Sequence, residues 1–369
     1  MQGADPNAVR RAVETGDPLP GTAGFAGHVD EMLVRDVLGR YPLFVEGDDA
    51  REWPADPTWA TDPNDLDEPL SFPAGHVQHE CEEPQRRWSL PDPAPFERER
   101  GAVRELVDAV RDGIAATRPD EADAVAVAFS GGVDSSVVAA GFDAPLYVGG
   151  FAGSHDREAA ATAADAMGAE LREVAFTPED VERAVPEVAR AIGRPSAMAV
   201  QIALPLYLVA QRVREDGYDY LAVGQGADEL FGGYAKVARA PEDPRVDADT
   251  VRGAQREMIA TLPDQLERDV LALRAAGVEP VAPLLYDGVV ETALRLPADS
   301  LVDDRGERKR AFRLAAREFV PDSIAFREKK AVQYGSLVGR ELDRLARQAG
   351  FKRRMDDHVS EYIRSRVDD

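Results

Sequence analysis

A single cysteine in 369 residues excludes a disulfide framework. No apolar run reaches the ~18 residues that a membrane-spanning helix requires, and no signal peptide is visible, so a cytoplasmic protein is expected. Basic residues are scarce, 44 against 68 acidic ones, and only five of them are Lys; the formal net charge is −24. A surface of that sign repels nucleic acid and anionic membranes and leaves small molecules as the expected partners. Dense Asp and Glu with little Lys also suits a salt-adapted protein, whose carboxylates hold water and hydrated cations at high ionic strength. Neither GxxxxGK[ST] nor GxGxxG occurs, which excludes the common P-loop and dinucleotide turns. The length suits two domains, and 44% hydrophobic residues can supply their cores.

What is present is concentrated in two short segments. The first, Val125 to Ser136, reads VAVAFSGGVDSS. Its apolar start has the length of a buried parallel strand, and a helix can open near Asp134. Between them Gly131 and Gly132 free the backbone to point N–H groups at an anion, Val133 contributes another amide, and Ser130, Ser135 and Ser136 add hydroxyl donors. The helix N-terminus favours the same ligand. Asp134 is misplaced beside phosphates unless a divalent cation lies between them, so the loop predicts ATP or pyrophosphate with Mg²⁺.

The second segment, Leu221 to Tyr234, reads LAVGQGADELFGGY. Gly224 and Gly226 loosen the backbone at the carboxyl end of a short strand, where open parallel sheets bind ligands. Asp228 follows at once. A second carboxylate facing the crevice of Asp134 lets two acids share one metal, which accounts for an acidic cluster near phosphates.

Together these two segments resemble the synthetase domain of the asparagine synthetase family, whose second motif is usually GEGSDE(L/V)FGGY. The resemblance continues through GVEPVAPLLYDGVVETALRL, similar to the family's GVEARVPFLD segment. It also takes in KRAFRLAAREFVPDSIAFREKKAVQY, similar to a K-x-x-x-R helix and WRxK loop, here Lys309, Arg313, Arg327 and Lys329. Coverage runs from about Phe96 to about Gly339. GFAGHVDEMLVRDVLGRYPLFVE and FPAGHV, before it, resemble the later half of the family's glutaminase domain. That domain works through an N-terminal cysteine nucleophile; position 2 here is Gln2, and the only cysteine, Cys81, lies in HVQHEC. Spaced along a strand, His76, His79 and Cys81 do not converge on a metal.

The expected fold is therefore α/β. A doubly wound, mostly parallel sheet of the adenine nucleotide alpha hydrolase-like kind occupies residues 96–345, with helices closing its C-terminal part. A small β-rich, Ntn-type glutaminase remnant occupies 1–93, joined through the proline-rich Leu90 to Pro95, and a charged helix or tail spans 346–369. Trp53, Trp59 and Trp88 are read as core or interdomain packing. The resemblance implies AMP-forming synthesis of asparagine from aspartate through β-aspartyl-AMP. ATP and Mg²⁺ are the cofactors, the metal on Asp134 and Asp228, with adenine near Val148 to Phe151, including Gly150. Lys309 is placed with the phosphates, sharing a helix face with Arg313, and Lys329 at the α-phosphate. Ammonia, free or from a separate glutaminase subunit, is the expected nitrogen source, and a homodimer is allowed. Gln225 stands where the family has glutamate and Val281 where it often has arginine. Tyr286 replaces the aspartate of VPFLD, with Asp287 one residue on. These departures leave ATP chemistry intact and keep three other readings open: another AMP-forming amide ligase, an inactive nucleotide-binding regulator, and an RNA-modifying enzyme, the last opposed by the charge.

Overall fold

Alternation of small and branched apolar residues builds the central sheet. In the computed structural model, which describes residues 1–47, 53, 58–80, 82–120, 124–240, 242–245, 247–327 and 334–367, the chain begins with short antiparallel strands. These are β1 (Gln2–Gly3), β2 (Phe25–Val29), β3 (Met32–Arg35), β4 (Phe44–Glu46), β5 (Trp59–Ala60), β6 (Pro69–Ser71), β7 (His76–His79) and β8 (Gln85–Arg86). They form one sheet in the order β1-β2-β3-β7-β8 and a second in the order β5-β4-β6. Phe25 meets Trp88 edge to face at 5.5 Å, and Trp53 meets Phe72 at 5.9 Å. Trp59 does not pack as expected; it is 37% exposed on an edge strand.

The larger sheet is parallel: β9 (Val125–Ala128), β10 (Leu146–Phe151), β11 (Leu171–Phe176), β12 (Tyr220–Ala222) and β13 (Glu279–Val281), in the order β11-β10-β9-β12-β13. Successive side chains of β9 enter opposite cores, Val125 and Val127 one, Ala126 the other. The first core is closed by helices Glu99–Thr117, Val133–Ala140, Asp287–Leu294 and Arg310–Ala316, the second by Pro178–Ala191 and Ala197–Glu215. This is the doubly wound α/β fold expected from the sequence. Thr177 caps the helix that follows β11 with a reciprocal bond to Asp180, as the Thr-Pro-Glu-Asp run predicts. The strand order reverses between β9 and β12, and at such a switch point the two turns that follow those strands open a crevice.

The segments at both expected boundaries are packed. Leu90 to Pro95 is not a free linker: Arg256 donates to the Leu90 and Pro91 carbonyls at 2.9 and 2.5 Å, and Arg252 to Pro93 at 3.0 Å. At the other end helix Tyr334–Gln348 runs through the 345/346 boundary. Helix His358–Val367 buries Tyr362 and Ile363 in the second core, so it is a packed element and not a tail. Among the described residues no helix is long and apolar enough to cross a membrane.

The N-terminal sheets dock through the RDVLGR segment. Arg40 donates to Asp36 at 2.9 Å and to Asp287 at 2.7 Å, and Thr22 donates through its backbone N–H to Asp287 at 2.7 Å. Arg35 pairs with Glu267 at 3.1 Å, and Ser71 bonds the same carboxylate at 2.5 Å. Burial opposes the Arg40 charge, but Asp287 and Asp36 outweigh it and hold the guanidinium above its ordinary range. Asp287 therefore faces the N-terminal sheets and not the crevice. Removing one member of such a pair strands a buried charge. Asp287→Ala is expected to cost about 3–5 kcal/mol in urea unfolding; a change below about 1 kcal/mol would show that the docking pairs are solvated.

Candidate active site

The first turn is held by its own hydroxyls. Ser130 N–H donates to Ser135 Oγ at 3.1 Å, and Ser135 Oγ also lies 3.2 Å from Ser130 Oγ. Gly131 has φ 69°, and a Cβ there would stand 2.7 Å from the Ala159 carbonyl, so glycine is needed for both conformation and space. Arg327 ties this turn to the neighbouring helix by donating to Ala159 O at 2.8 Å and Gly131 O at 3.4 Å. Gly132 caps helix Val133–Ala140 without any side-chain bond, so the first N–H groups of the helix, Val133 among them, remain open to an anion. Ser136 Oγ, on the first turn, is buried without a partner among the described residues.

The second turn lies directly against the first. A Cβ at Gly224 would come within 3.0 Å of Ser135 N and 3.2 Å of Asp134 Cβ, and Gly226 takes φ 84° beside Leu285. This contact brings Asp228, on helix Ala227–Leu230, to Asp134. One ammonium bridges them: Lys309 Nζ lies 2.6 and 2.7 Å from the two Asp134 oxygens and 2.7 Å from Asp228 Oδ1. Burial, the largest single influence on Lys309, favours the neutral amine; the two carboxylates together outweigh it and hold the ammonium above the ordinary lysine range. Asp134 and Asp228 keep 18% and 23% of their side-chain surface exposed towards the crevice. Behind them Glu229 is buried and accepts a bond from Tyr234 at 2.5 Å. Burial pushes its carboxyl up, and the Tyr234 bond opposes that shift.

The expected site residues thus divide. Ser130, Gly131, Gly132, Val133, Asp134, Ser135, Ser136, Gly224, Gly226, Asp228 and Lys309 meet at one end of the sheet. Lys309 does not share a helix face with Arg313. It caps helix Arg310–Ala316 from a left-handed conformation, φ 60°, while Arg313 turns inward to the Ala325 and Arg327 carbonyls at 2.8 and 2.9 Å. Val148 to Phe151 extends β10 beyond the last β9 pairing at Tyr147, which leaves backbone on that side at the crevice; the Val148 side chain itself is core. Gln225 points away from the carboxylates to Asp269. Lys329 and Cys81 lie outside the described residues. Sequence spacing missed Gly233, where a Cβ would stand 1.9 Å from Asp228 Oδ1 and 2.5 Å from Lys309 Cε. The doubled glycine of FGGY was the available signal.

The donor set fits Mg²⁺. Two partly exposed carboxylates offer hard oxygens within reach of one point, and phosphate and water commonly complete the shell of such an ion. Among the described residues no group of three or more His, Cys, Asp or Glu forms a full protein cage.

Comparison with known proteins identifies the family of the chain. The asparagine synthase family model matches residues 103–249 and 240–366. Putative asparagine synthetase (glutamine-hydrolyzing) 1 of Methanocaldococcus jannaschii is 28% identical over 306 residues, covering 73% of this chain and 56% of that protein. Asparagine synthetase (glutamine-hydrolyzing) 2 of Arabidopsis thaliana is 26% identical over 372 residues, covering 90% and 60%. Asparagine synthetase B (glutamine-hydrolyzing) of Escherichia coli K12 is 28% identical over 191 residues, covering 52% and 33%. The chain spans 60% or less of the length of these three relatives. A solved U34-tRNA thiolase from Methanococcus maripaludis overlaps 73% of this chain at 14% identity with a TM-score of 0.30, too weak a likeness to argue from.

Gly233 offers a direct check on the cluster. Gly233→Ala should displace Asp228 and Lys309 and lower kcat/KM at least ~100-fold, since misplacement by about 1 Å has that cost. It should destabilise the fold by only about 1–3 kcal/mol; near-normal kcat/KM in this variant would mean that the bridge is dispensable.

Proposed function

The chain belongs to the asparagine synthase family, and from that membership and the Asp134–Lys309–Asp228 cluster we propose that it makes asparagine by ATP-dependent, AMP-forming amide synthesis. The observation that carries the reading is the convergence of two acids, from two turns at a switch point, on one cation.

In this reading the β- and γ-phosphates of ATP rest on the Ser130 to Ser136 turn, and its adenine lies along the overhanging Val148 to Phe151 backbone. The side-chain carboxylate of aspartate attacks the α-phosphorus, the bond to the β-phosphate oxygen breaks, and pyrophosphate leaves. Ammonia then attacks the acyl carbon of β-aspartyl-AMP, AMP departs with the acyl C–O electron pair, and the nitrogen loses a proton. Activation is required because a free carboxylate is a poor acyl donor, whereas AMP is a good leaving group. Lys309 keeps the two carboxylates aimed and partly neutralised, so that they do not repel the incoming phosphates. Asp134 and Asp228 would hold Mg²⁺, which when bound would neutralise charge on the departing pyrophosphate. Lys329, by resemblance, adds charge at the α-phosphate.

Ammonia, free or handed over by a partner subunit, is the proposed nitrogen donor. A second acceptor acid is the alternative. Val281 is buried, and Tyr286 hydroxyl donates to Gly21 O at 3.1 Å, so neither position offers charge to an amino acid. Pyrophosphate release with ATP and Mg²⁺ in molar KCl separates these readings. Release is expected to require aspartate, with asparagine formed from ammonium and not from glutamine. Release driven by a different acid, or equal use of glutamine, would overturn the assignment.

A further inference from the structure

With 68 acidic residues against 44 basic ones, a cation in this chain seldom lacks a carboxylate. Around the two turns Lys309 bridges Asp134 and Asp228, Arg268 pairs with Asp269 at 2.8 Å, and Arg310 pairs with Glu99 at 2.6 Å. Arg313 and Arg327 are taken up by backbone carbonyls. Arg308 differs. It is half-buried, and among the described residues it forms no ion pair and a single side-chain bond, from Nη1 to the Gly233 carbonyl.

Its backbone is firmly mounted. Asp303 Oδ1 accepts the Arg305 and Glu307 N–H groups at 2.9 and 2.8 Å, Val302 and Arg308 form an antiparallel bridge, and the Arg308 carbonyl accepts Arg313 Nε at 3.0 Å. Gly233, which receives the guanidinium, is the residue packed against Asp228 and Lys309. With Nη1 on Gly233, the Nε–Nη2 edge remains, a planar fork that matches both oxygens of a carboxylate. A half-buried charge without a partner is costly unless a ligand supplies one. The β- and γ-phosphates already have the first turn. Aspartate carries two carboxylates, of which one reacts and the other must be held, and neither Val281 nor Tyr286 can hold it.

We infer that Arg308 binds the α-carboxylate of the acceptor amino acid through its Nε–Nη2 edge and thereby selects aspartate over acids that lack this group. The inference rests on the amide-forming reaction proposed above and adds the residue that recognises its acceptor. Holding the α-carboxylate also decides which of the two carboxylates stays free to attack the α-phosphorus.

Exchange of labelled pyrophosphate into ATP, measured against acceptor concentration, tests this step without the nitrogen chemistry. β-Alanine, which is aspartate without its α-carboxylate, is the probe. In the parent protein its kcat/KM should fall at least ~100-fold below that of aspartate. Arg308→Gln can keep the bond to Gly233 through its amide while losing the fork. It is expected to raise the KM for aspartate about 30- to 100-fold, the worth of two bonds to a charged group, and to leave the KM for ATP and the use of β-alanine within about threefold. Arg308→Lys, which keeps the charge but not the fork, should fall between the two. An aspartate KM within threefold of the parent in Arg308→Gln would overturn the inference, and so would an equal loss with β-alanine. Parent protein that uses β-alanine as well as aspartate would overturn it without any variant. Absence of aspartate-dependent exchange in the parent would instead refute the asparagine reading itself.

Discussion

A single buried ammonium holds the site together. Lys309 draws carboxylates from two different turns to within hydrogen-bonding distance of one nitrogen, and the nearby glycines make that arrangement possible in different ways. Gly224 lets the turns touch, Gly131 lets the first turn lie on its neighbouring helix, and Gly233 leaves room for the bridge. Two carboxylates this close would repel each other in a partly dry crevice without the intervening charge. The exposed side of this pair is where the proposed further cation and its phosphates would bind.

The N-terminal sheets serve the same end from the opposite side. Arg40 and Arg35 are buried in contact with Asp287 and Glu267, which lie on the helices flanking β13. Those helices in turn pack around Leu285 and the Gly226 turn that carries Asp228. The N-terminal sheets are thus an integral wall of the unit built on the parallel sheet. Their RDVLGR segment supplies the docking pairs through Arg35, Asp36 and Arg40.

The two glycine-rich turns and the parallel sheet between them were legible because backbone freedom, strand apolarity and helix opening are all local properties. The contact that matters most was only half legible. Asp134 and Asp228 could be paired by chemistry, but nothing in the sequence around Lys309 announces a left-handed cap 175 residues from its partner. Asp269 was invisible for the same reason: it sits mid-helix, with no motif, and matters only because Gln225 folds onto it. Helix Ala197–Glu215 escaped because it is buried on most faces and so lacks an amphipathic stripe. In the C-terminal segment dense charge hid Tyr362 and Ile363, two apolar residues sufficient to anchor a short helix.

The most direct test of the account is a double-mutant cycle on the two carboxylates. Asp134→Asn, Asp228→Asn and the double variant are compared by aspartate-dependent pyrophosphate exchange. If both acids grip one cation and one pyrophosphate, the second substitution should add little to the first, giving a coupling energy of about 1–3 kcal/mol. Losses that simply add, within about 0.5 kcal/mol, would show that Asp134 and Asp228 act separately and would contradict the shared site.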